Sequence, residues 1–176
     1  MTRFALAVAV TALVLAGCSS DDGDAEPTGA TTPVTVKGTN AETALLTDVT
    51  ASREDGVDRI VFTFRDEAPG YDVRYVSRPI LADGSGDEVE IEGDHVLQVR
   101  METALDADLT QEDAPLTYTG PQRFSPTDTE TVVELARTGG FEAVLTWVVG
   151  LDERVPFAVT TESDPPRVVI DLQTSG

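Results

Sequence analysis

The chain has 176 residues, of which 32 are Asp or Glu and 12 are Lys or Arg, and its formal net charge is −20. A charge of this size and sign repels phosphate backbones and anionic lipid headgroups, so we expect no nucleic acid partner. Cys18 is the single cysteine, which excludes an intramolecular disulfide and a zinc site built on cysteines.

The first residues follow the order of a bacterial lipoprotein signal peptide. Arg3 supplies the positive charge, residues 4–15 form an apolar run, and two small residues precede Cys18. The apolar run is shorter than the roughly 20 residues that a transmembrane helix needs. In lipobox signal peptides, which this stretch resembles, the cysteine receives the lipid and becomes the mature N-terminus. We therefore predict a signal peptide over residues 1–17 and a lipid anchor at Cys18 on the outer face of the cell membrane.

Residues 18–40 are predicted to form a flexible acidic linker. They are rich in Ser, Thr, Asp, Gly and Pro and contain almost nothing to bury. As a flexible coil, this stretch has a root-mean-square span of roughly 25 Å, which lets a domain stand away from the headgroups. Cation binding is the alternative for its four clustered acidic residues, but they lack neighbours that fix a coordination geometry, so we expect no metal site here. These residues are Asp21, Asp22, Asp24 and Glu26.

From residue 45 onward, apolar and polar side chains alternate and turn residues recur at short intervals, as in β-strands. Residues 141–150 carry apolar side chains on both faces and are predicted to form a central strand covered on both sides. Residues 131–136 fit a helix or a strand, and the β-branched pair Val132-Val133 and the glycines that follow at 139 and 140 favour a strand. Strands are predicted over residues 45–50, 59–65, 71–76, 96–102, 131–136, 141–150, 156–161 and 167–173.

The fold class follows from what separates these strands. We expect one helical turn within the polar residues 104–114 but no long amphipathic helix. A parallel sheet with crossover helices is therefore disfavoured. Residues 41–176 are predicted to form an all-β domain, an antiparallel β-sandwich of about eight or nine strands.

The acidic loop at residues 82–87 has two interpretations. Its two glycines supply the positive φ angles that a tight connection needs. Asp83, Ser85 and Asp87 have the spacing of the first three ligands of an EF-hand loop, but position six is Glu88 where that loop needs glycine, and position twelve is Asp94 where it needs glutamate. We favour a plain hairpin connection over a calcium site.

Two predicted strands share one pattern, DRIVFTF at residues 58–64 and PRVVIDL at residues 166–172. This pair resembles the AMIN domain, a small β-sandwich of envelope proteins. The chain further resembles AMIN-like lipoproteins of high-GC Gram-positive bacteria in the stretches at residues 55–62, 69–76, 118–121, 141–151 and 163–171. The resemblance implies an envelope localisation or recognition module, which in some relatives directs peptidoglycan amidases through wall binding. No amidase sequence accompanies the module here, so we do not expect targeting of an attached enzyme.

We expect no enzyme activity and no cofactor. The sequence has no G-x-S-x-G nucleophile elbow, no metal triad and no cysteine–histidine pair. His95, the single histidine, opens a predicted strand and is interpreted as a strand-edge residue rather than a general base. A hydrolase with an acidic site stays open, because 32 acidic residues make any carboxylate pairing uninformative.

The predicted function is binding of peptidoglycan or another wall polymer, with aromatic faces meeting sugar rings and arginines gripping carboxylates. Arg74 alternates outward and is the preferred candidate, whereas Trp147 and one of Tyr71 and Tyr75 lie on apolar faces, so we favour core positions for them over binding roles. The alternative is a protein-interaction partner that docks an envelope enzyme or transporter through an edge strand or its acidic surface. The candidate ligand-binding residues are Tyr71, Arg74, Tyr75, Arg78, Tyr118 and Trp147.

Overall fold

The computed structural model describes residues 30–38 and 42–174. The predicted signal peptide, Cys18 and the first part of the predicted linker lie outside these residues. Within the described ranges, no helix is long and apolar enough to cross a membrane.

The described residues form strands joined by turns, without a helix. Eight strands have seven or more residues, which agrees with the predicted number, and three have only two or three and were not recognised. The strands are β1 (Val34–Val36), β2 (Ala44–Glu54), β3 (Val57–Arg65), β4 (Gly70–Val76), β5 (His95–Glu102), β6 (Ala104–Leu105), β7 (Arg123–Phe124), β8 (Val132–Phe141), β9 (Val144–Leu151), β10 (Phe157–Ser163) and β11 (Pro166–Gln173).

The strands make two sheets. One has six strands in the order β1-β4-β5-β9-β8-β7, and the other has five in the order β10-β11-β3-β2-β6. Neighbouring strands are antiparallel except β2 and β6, which pair in parallel over two residues. The predicted all-β antiparallel sandwich is confirmed.

Aromatic side chains join the inner faces of the two sheets. Trp147 of β9 is fully buried and meets Phe62 of β3 edge to face, with ring centroids 6.0 Å apart. Tyr118 contacts the same indole edge to face at 5.8 Å. Each such pair adds about 1 kcal/mol to the free energy of burial, so this cluster fixes how the sheets face each other.

A buried carboxylate also links the sheets. Asp58 of β3 is fully buried and accepts hydrogen bonds from the backbone N–H groups of Glu130, Thr131 and Val132, which lead into β8 of the other sheet, at 2.7 to 3.0 Å. The Arg53 guanidinium lies 3.9 Å away. Three donors and a nearby cation compensate the cost of burying this charge.

The two strands with the shared sequence pattern, β3 and β11, are neighbours in one sheet. Ile60 lies opposite Ile170, and Arg59 lies opposite Asp171. Arg59 donates two hydrogen bonds to the Asp171 carboxylate, at 2.7 and 2.9 Å, and this pairing raises the pKa of Arg59. The shared pattern therefore reflects equivalent positions in paired strands.

Residues 77–94, which we call the cover segment, cross the outer face of the six-stranded sheet. Their Ile80 and Ile91 pack with Val148 of β9 in a second, smaller apolar cluster. Because the cover segment lies on one face and the main core on the other, β9 is buried from Leu145 to Leu151. The prediction of a central strand covered on both sides is confirmed for these residues.

The loop within the cover segment closes as a hairpin, as favoured from the sequence. The Ala82 N–H donates to the Asp87 carbonyl at 2.8 Å, and the Gly86 N–H donates to the Ala82 carbonyl at 3.0 Å. Asp83, the first ligand in the calcium interpretation, instead accepts a hydrogen bond from the Thr146 hydroxyl of β9 at 2.8 Å. This carboxylate attaches the loop to the sheet.

Two local predictions were wrong, and one predicted strand is longer. The strand predicted over residues 141–150 is broken, because Glu142 and Ala143 adopt positive φ angles of 51° and 57° and form the β8–β9 turn. The strand predicted over residues 131–136 continues to Phe141 and includes Gly139 and Gly140. The predicted helical turn in residues 104–114 is absent from this described stretch, where a loop is closed by a bridge between Ala107 and Leu116. Non-glycine residues rarely adopt the left-handed conformation, so a turn built from them is not recognisable from the sequence.

The predicted linker and the domain overlap in the structure. Val34–Val36 form β1 and pair with β4, which covers the edge of the six-stranded sheet. Before it, the Ala30 carbonyl accepts a hydrogen bond from the Phe157 N–H of β10 at 3.1 Å. Residues 30–38 therefore lie against the sandwich, although they were assigned to the linker over residues 18–40.

Candidate functional site

Three of the predicted ligand-binding residues lie in the core. Trp147 is fully buried, and Tyr71 and Tyr118 are only 4% exposed. The Tyr118 hydroxyl donates to the Pro121 carbonyl at 2.7 Å, and burial raises its pKa. Their selection as binding residues is corrected, because none of them presents a ring face to a ligand. For Trp147 and Tyr71, the alternative of a core position is the one observed.

Tyr75 and Arg78 hold neighbouring loops in place. The half-buried Tyr75 hydroxyl donates to the Val155 carbonyl at 2.7 Å and accepts from the Val155 N–H at 3.1 Å, and burial raises its pKa. Arg154 lies over the Tyr75 ring, 4.1 Å from its centroid. Arg78 donates to the carbonyls of Ile91 and Gly93 and so braces the cover segment. Both side chains already have partners within the domain.

Arg74 and Arg78 are the predicted candidates that are exposed, and 49% of the Arg74 side chain faces solvent. Arg74 lies in a groove of about 450 Å³ that runs over the outer face of β1, β4 and β5. We call this the Arg74 groove. Its lining residues are Thr35, Val36, Lys37, Tyr71, Asp72, Arg74, Gln98, Arg100 and Glu102.

The Arg74 groove differs in charge from the rest of the molecule. Lys37, Arg74 and Arg100 bring three positive charges to it, whereas Asp72 and Glu102 bring two negative ones. Its formal charge is therefore +1, in a chain whose net charge is −20. The single lysine of the chain lies here, and its ammonium group has no ion-pair partner among the described residues. The groove therefore attracts a ligand anion over short distances.

Asp72 lies between two cations of the groove, Arg74 and Arg100, and bonds to the first of them. It lies opposite Arg100 in the β4–β5 ladder and accepts hydrogen bonds from the Arg74 Nε and from the Thr35 hydroxyl. The bond from Arg74 is the main reason that the pKa of Asp72 is lowered, and the nearby Arg100 contributes as well. An ionised Asp72 therefore fixes the guanidinium of Arg74 in place.

The guanidinium groups keep donors available for a ligand. Arg74 bonds to Asp72 through Nε, and its two terminal nitrogens have no bond to any described residue. Arg100 donates to Glu102 through Nη1 at 3.0 Å. A guanidinium with free terminal nitrogens pairs with a carboxylate or phosphate through two parallel hydrogen bonds. The groove is therefore chemically suited to an anionic ligand.

A second cleft, of about 510 Å³, lies between the cover segment and β7. Both of its arginines form hydrogen bonds within the domain. Arg78 donates to the Ile91 carbonyl, and Arg123 donates to Glu134 at 2.6 Å and to the Glu90 carbonyl at 2.9 Å. No group of three or more His, Cys, Asp or Glu within the described ranges is placed to hold a metal ion. The cleft thus offers fewer free donors than the Arg74 groove.

Sequence reasoning found Arg74 but missed Lys37, Asp72 and Arg100. The alternation Gln98, Arg100, Glu102 placed Arg100 on an outward face, and that pattern could have identified it. Lys37 follows β1, a three-residue strand within the predicted linker, where no pattern indicated structure. That these residues adjoin Arg74 depends on strand order and register, which local patterns do not define.

A family model for the AMIN-like domain matches residues 44–174, from the first residue of β2 to just beyond β11. Comparison with curated proteins and with solved structures found no match. The family match covers ten of the eleven strands.

Proposed function

Because the chain belongs to the AMIN-like domain family, we propose that it is a non-enzymatic binding module of the cell envelope that recognises an anionic wall polymer, such as peptidoglycan, through the Arg74 groove. In this proposal, a lipid on Cys18 holds the module at the outer face of the cell membrane. The family itself indicates an envelope-associated binding module, and the polymer, the groove and the anchor are the proposed parts.

The observation that carries the proposal is the local reversal of charge at Arg74. An acidic domain is repelled by an anionic polymer at long range, so binding requires a place where cations with free donors are concentrated. Lys37, Arg74 and Arg100 meet that requirement on one face. Peptide stems of peptidoglycan carry carboxylates, which match guanidinium geometry.

The proposal is tested by sedimentation with purified cell wall. The chain from Ser19 to Gly176 is mixed with wall at several salt concentrations, and the bound fraction is measured for the parent and for Arg74→Ala. We expect Arg74→Ala to weaken binding by about tenfold or more, since a charge-assisted contact contributes about 1.5–3 kcal/mol.

Arg167→Ala is the matched control. Arg167 is also an exposed, ion-paired strand arginine, bonded to Glu162 at 3.1 Å, but it lies on the five-stranded sheet. This variant should bind wall as the parent does. An equal loss in both variants would point to general charge attraction, and no wall binding by the parent would favour the alternative of a protein partner.

A further inference from the structure

The Arg74 groove carries negative charges among its positive ones. Asp72 lies opposite Arg100 in the β4–β5 ladder, and Glu102 follows Arg100 on the same, exposed face of β5. Both carboxylates line the groove beside its cations. Each of them reduces the local positive potential, so neither helps a surface that only attracts anions. The two carboxylates therefore bear on which kind of anion the groove accepts.

Glu102 differs from Asp72 in having a free oxygen. One Asp72 oxygen accepts from the Arg74 Nε, and the other accepts from the Thr35 hydroxyl. Glu102 accepts from the Arg100 Nη1 through Oε1, at 3.0 Å, and its Oε2 has no bond to any described residue. Its side chain is 60% exposed. Glu102 thus presents an acceptor to a ligand in the groove, whereas Asp72 serves to position Arg74.

Arg100 presents free donors next to this free acceptor. It bonds to Glu102 through Nη1 alone, and its Nε and Nη2 have no bond to any described residue. Because Nη1 and Oε1 are in contact, the free donors and the free acceptor adjoin each other. A ligand with a negative and a positive group side by side can bond to both members of this pair. A phosphate can bond to Arg100 but is repelled by Glu102.

We propose that the Arg74 groove recognises a zwitterionic group, in which a carboxylate and a protonated amine lie on the same carbon atom, as at the end of an amino acid. The carboxylate bonds to Arg100 and to Arg74, its diagonal neighbour in the β4–β5 ladder, and the amine bonds to Glu102. This inference rests on the proposed function, because the peptide stems are the part of a wall polymer that can carry both groups. It narrows the ligand to stems with a free amine.

The test compares two forms of one probe. Soluble fragments of a purified wall, with uncrosslinked stems that carry a diamino diacid, are used as isolated and after N-acetylation of their amines. Acetylation removes the positive charge and leaves the carboxylates. Binding to the full-length chain, purified in detergent, is measured by calorimetry. In the parent, we expect acetylation to weaken binding about fivefold or more, since it removes a charge-assisted contact.

Glu102→Gln keeps the size of the side chain and removes its charge. This variant should bind the untreated fragment as weakly as the parent binds the acetylated one, and acetylation should then have little further effect. The positive charge of the ligand and the negative charge of Glu102 would thereby be shown to act together.

Glu162→Gln is the matched control. Glu162 is also an exposed strand glutamate that accepts from an arginine through one oxygen, at 3.1 Å, but it lies on the five-stranded sheet. This variant should show the same loss on acetylation as the parent. A general repulsion between the acidic domain and a more negative fragment would instead respond alike to both substitutions.

Equal binding of the two fragments by the parent would overturn the zwitterionic ligand, while a loss in Arg74→Ala would still support the groove as a site for a simple anion. An acetylation effect that persists in full in Glu102→Gln would also contradict the inference. If the parent bound neither fragment, the proposed function itself would fail, and this inference with it.

Discussion

Asp58 illustrates how one buried charge can join two sheets. Its carboxylate accepts from three backbone N–H groups, and Asn in its place would direct an amide N–H₂ group towards donors. We expect Asp58→Asn to lower the free energy of unfolding by about 2–4 kcal/mol, measured by urea unfolding. Asp55→Asn, in the exposed β2–β3 turn where φ is 49°, removes the same charge and should be nearly neutral. Similar losses in both variants would contradict this role.

Asp108 should make stability depend on pH in the acid range. Hydrogen bonds from the Thr110 hydroxyl, the Gln111 amide and the Arg65 guanidinium, at 2.5 to 2.8 Å, hold its pKa well below the usual value. A pKa that is lower in the folded state gives stabilisation that is complete above the unfolded value of about 3.9 and is lost as pH falls below it. We expect Asp108→Asn to be less stable than the parent at pH 7, with the gap narrowing from about pH 4 to pH 2 in urea unfolding. A constant gap would contradict the assignment.

For single residues, the sequence predicted the strand face on which a side chain lies better than it predicted the residues to which that side chain bonds. Alternation along residues 71–76 placed Arg74 outward, and the structure agrees. The same alternation placed Tyr71 on an apolar face, and it is buried. Asp72, which holds Arg74 in place, was missed because a run of alternating residues does not show which polar side chains bond across strands.

Among the elements, strands with strong alternation were predictable and irregular ones were not. The long strands follow the period of two, but the cover segment over residues 77–94 has no period, and its Ile80 and Ile91 find partners through tertiary packing. The β8–β9 turn was missed because Glu142 and Ala143 are not typical turn residues for positive φ. Propensity alone does not identify such elements.

Gly150 allows the cover segment to lie close to β9. A Cβ atom there would be 1.9 Å from the Glu92 carbonyl oxygen. We therefore expect Gly150→Ala to displace the cover segment, to lower stability by about 1–3 kcal/mol, and to speed proteolysis within residues 77–94. Gly84→Ala, where the space is open and φ is 88°, should cost only about 1 kcal/mol of backbone strain and leave the segment in place. Unchanged proteolysis of Gly150→Ala would contradict this packing.

For the whole molecule, the proposed anchor makes a prediction about processing. Cys18→Ser removes the thiol that would carry the lipid. We expect the variant to accumulate as a larger, unlipidated precursor, whereas the parent loses its first 17 residues and gains the mass of a lipid. Mass spectrometry of both forms checks this. A mature parent chain that keeps Met1 and carries no lipid would contradict the anchor.

The charge of the whole molecule sets how binding should respond to salt. Long-range repulsion between an acidic domain and an anionic polymer is screened at high ionic strength, with a Debye length of about 8 Å at 0.15 M. Contacts in the Arg74 groove act over shorter distances. Wall binding should therefore persist, rather than fall steeply, as salt is raised over the physiological range. A steep loss with salt would indicate that long-range charge attraction, rather than close contacts in the Arg74 groove, holds the domain on the wall.

The most direct test of the groove is to map the contact surface. An isotope-labelled chain is titrated with soluble fragments of purified cell wall, and the backbone amide shifts are followed by NMR. We predict shifts in β1, β4 and β5, centred on Asp72, Arg74 and Arg100, with little change around Arg167 on the five-stranded sheet. Shifts confined to the five-stranded sheet, or no shifts at saturating fragment concentration, would contradict the assignment of the Arg74 groove as the binding surface.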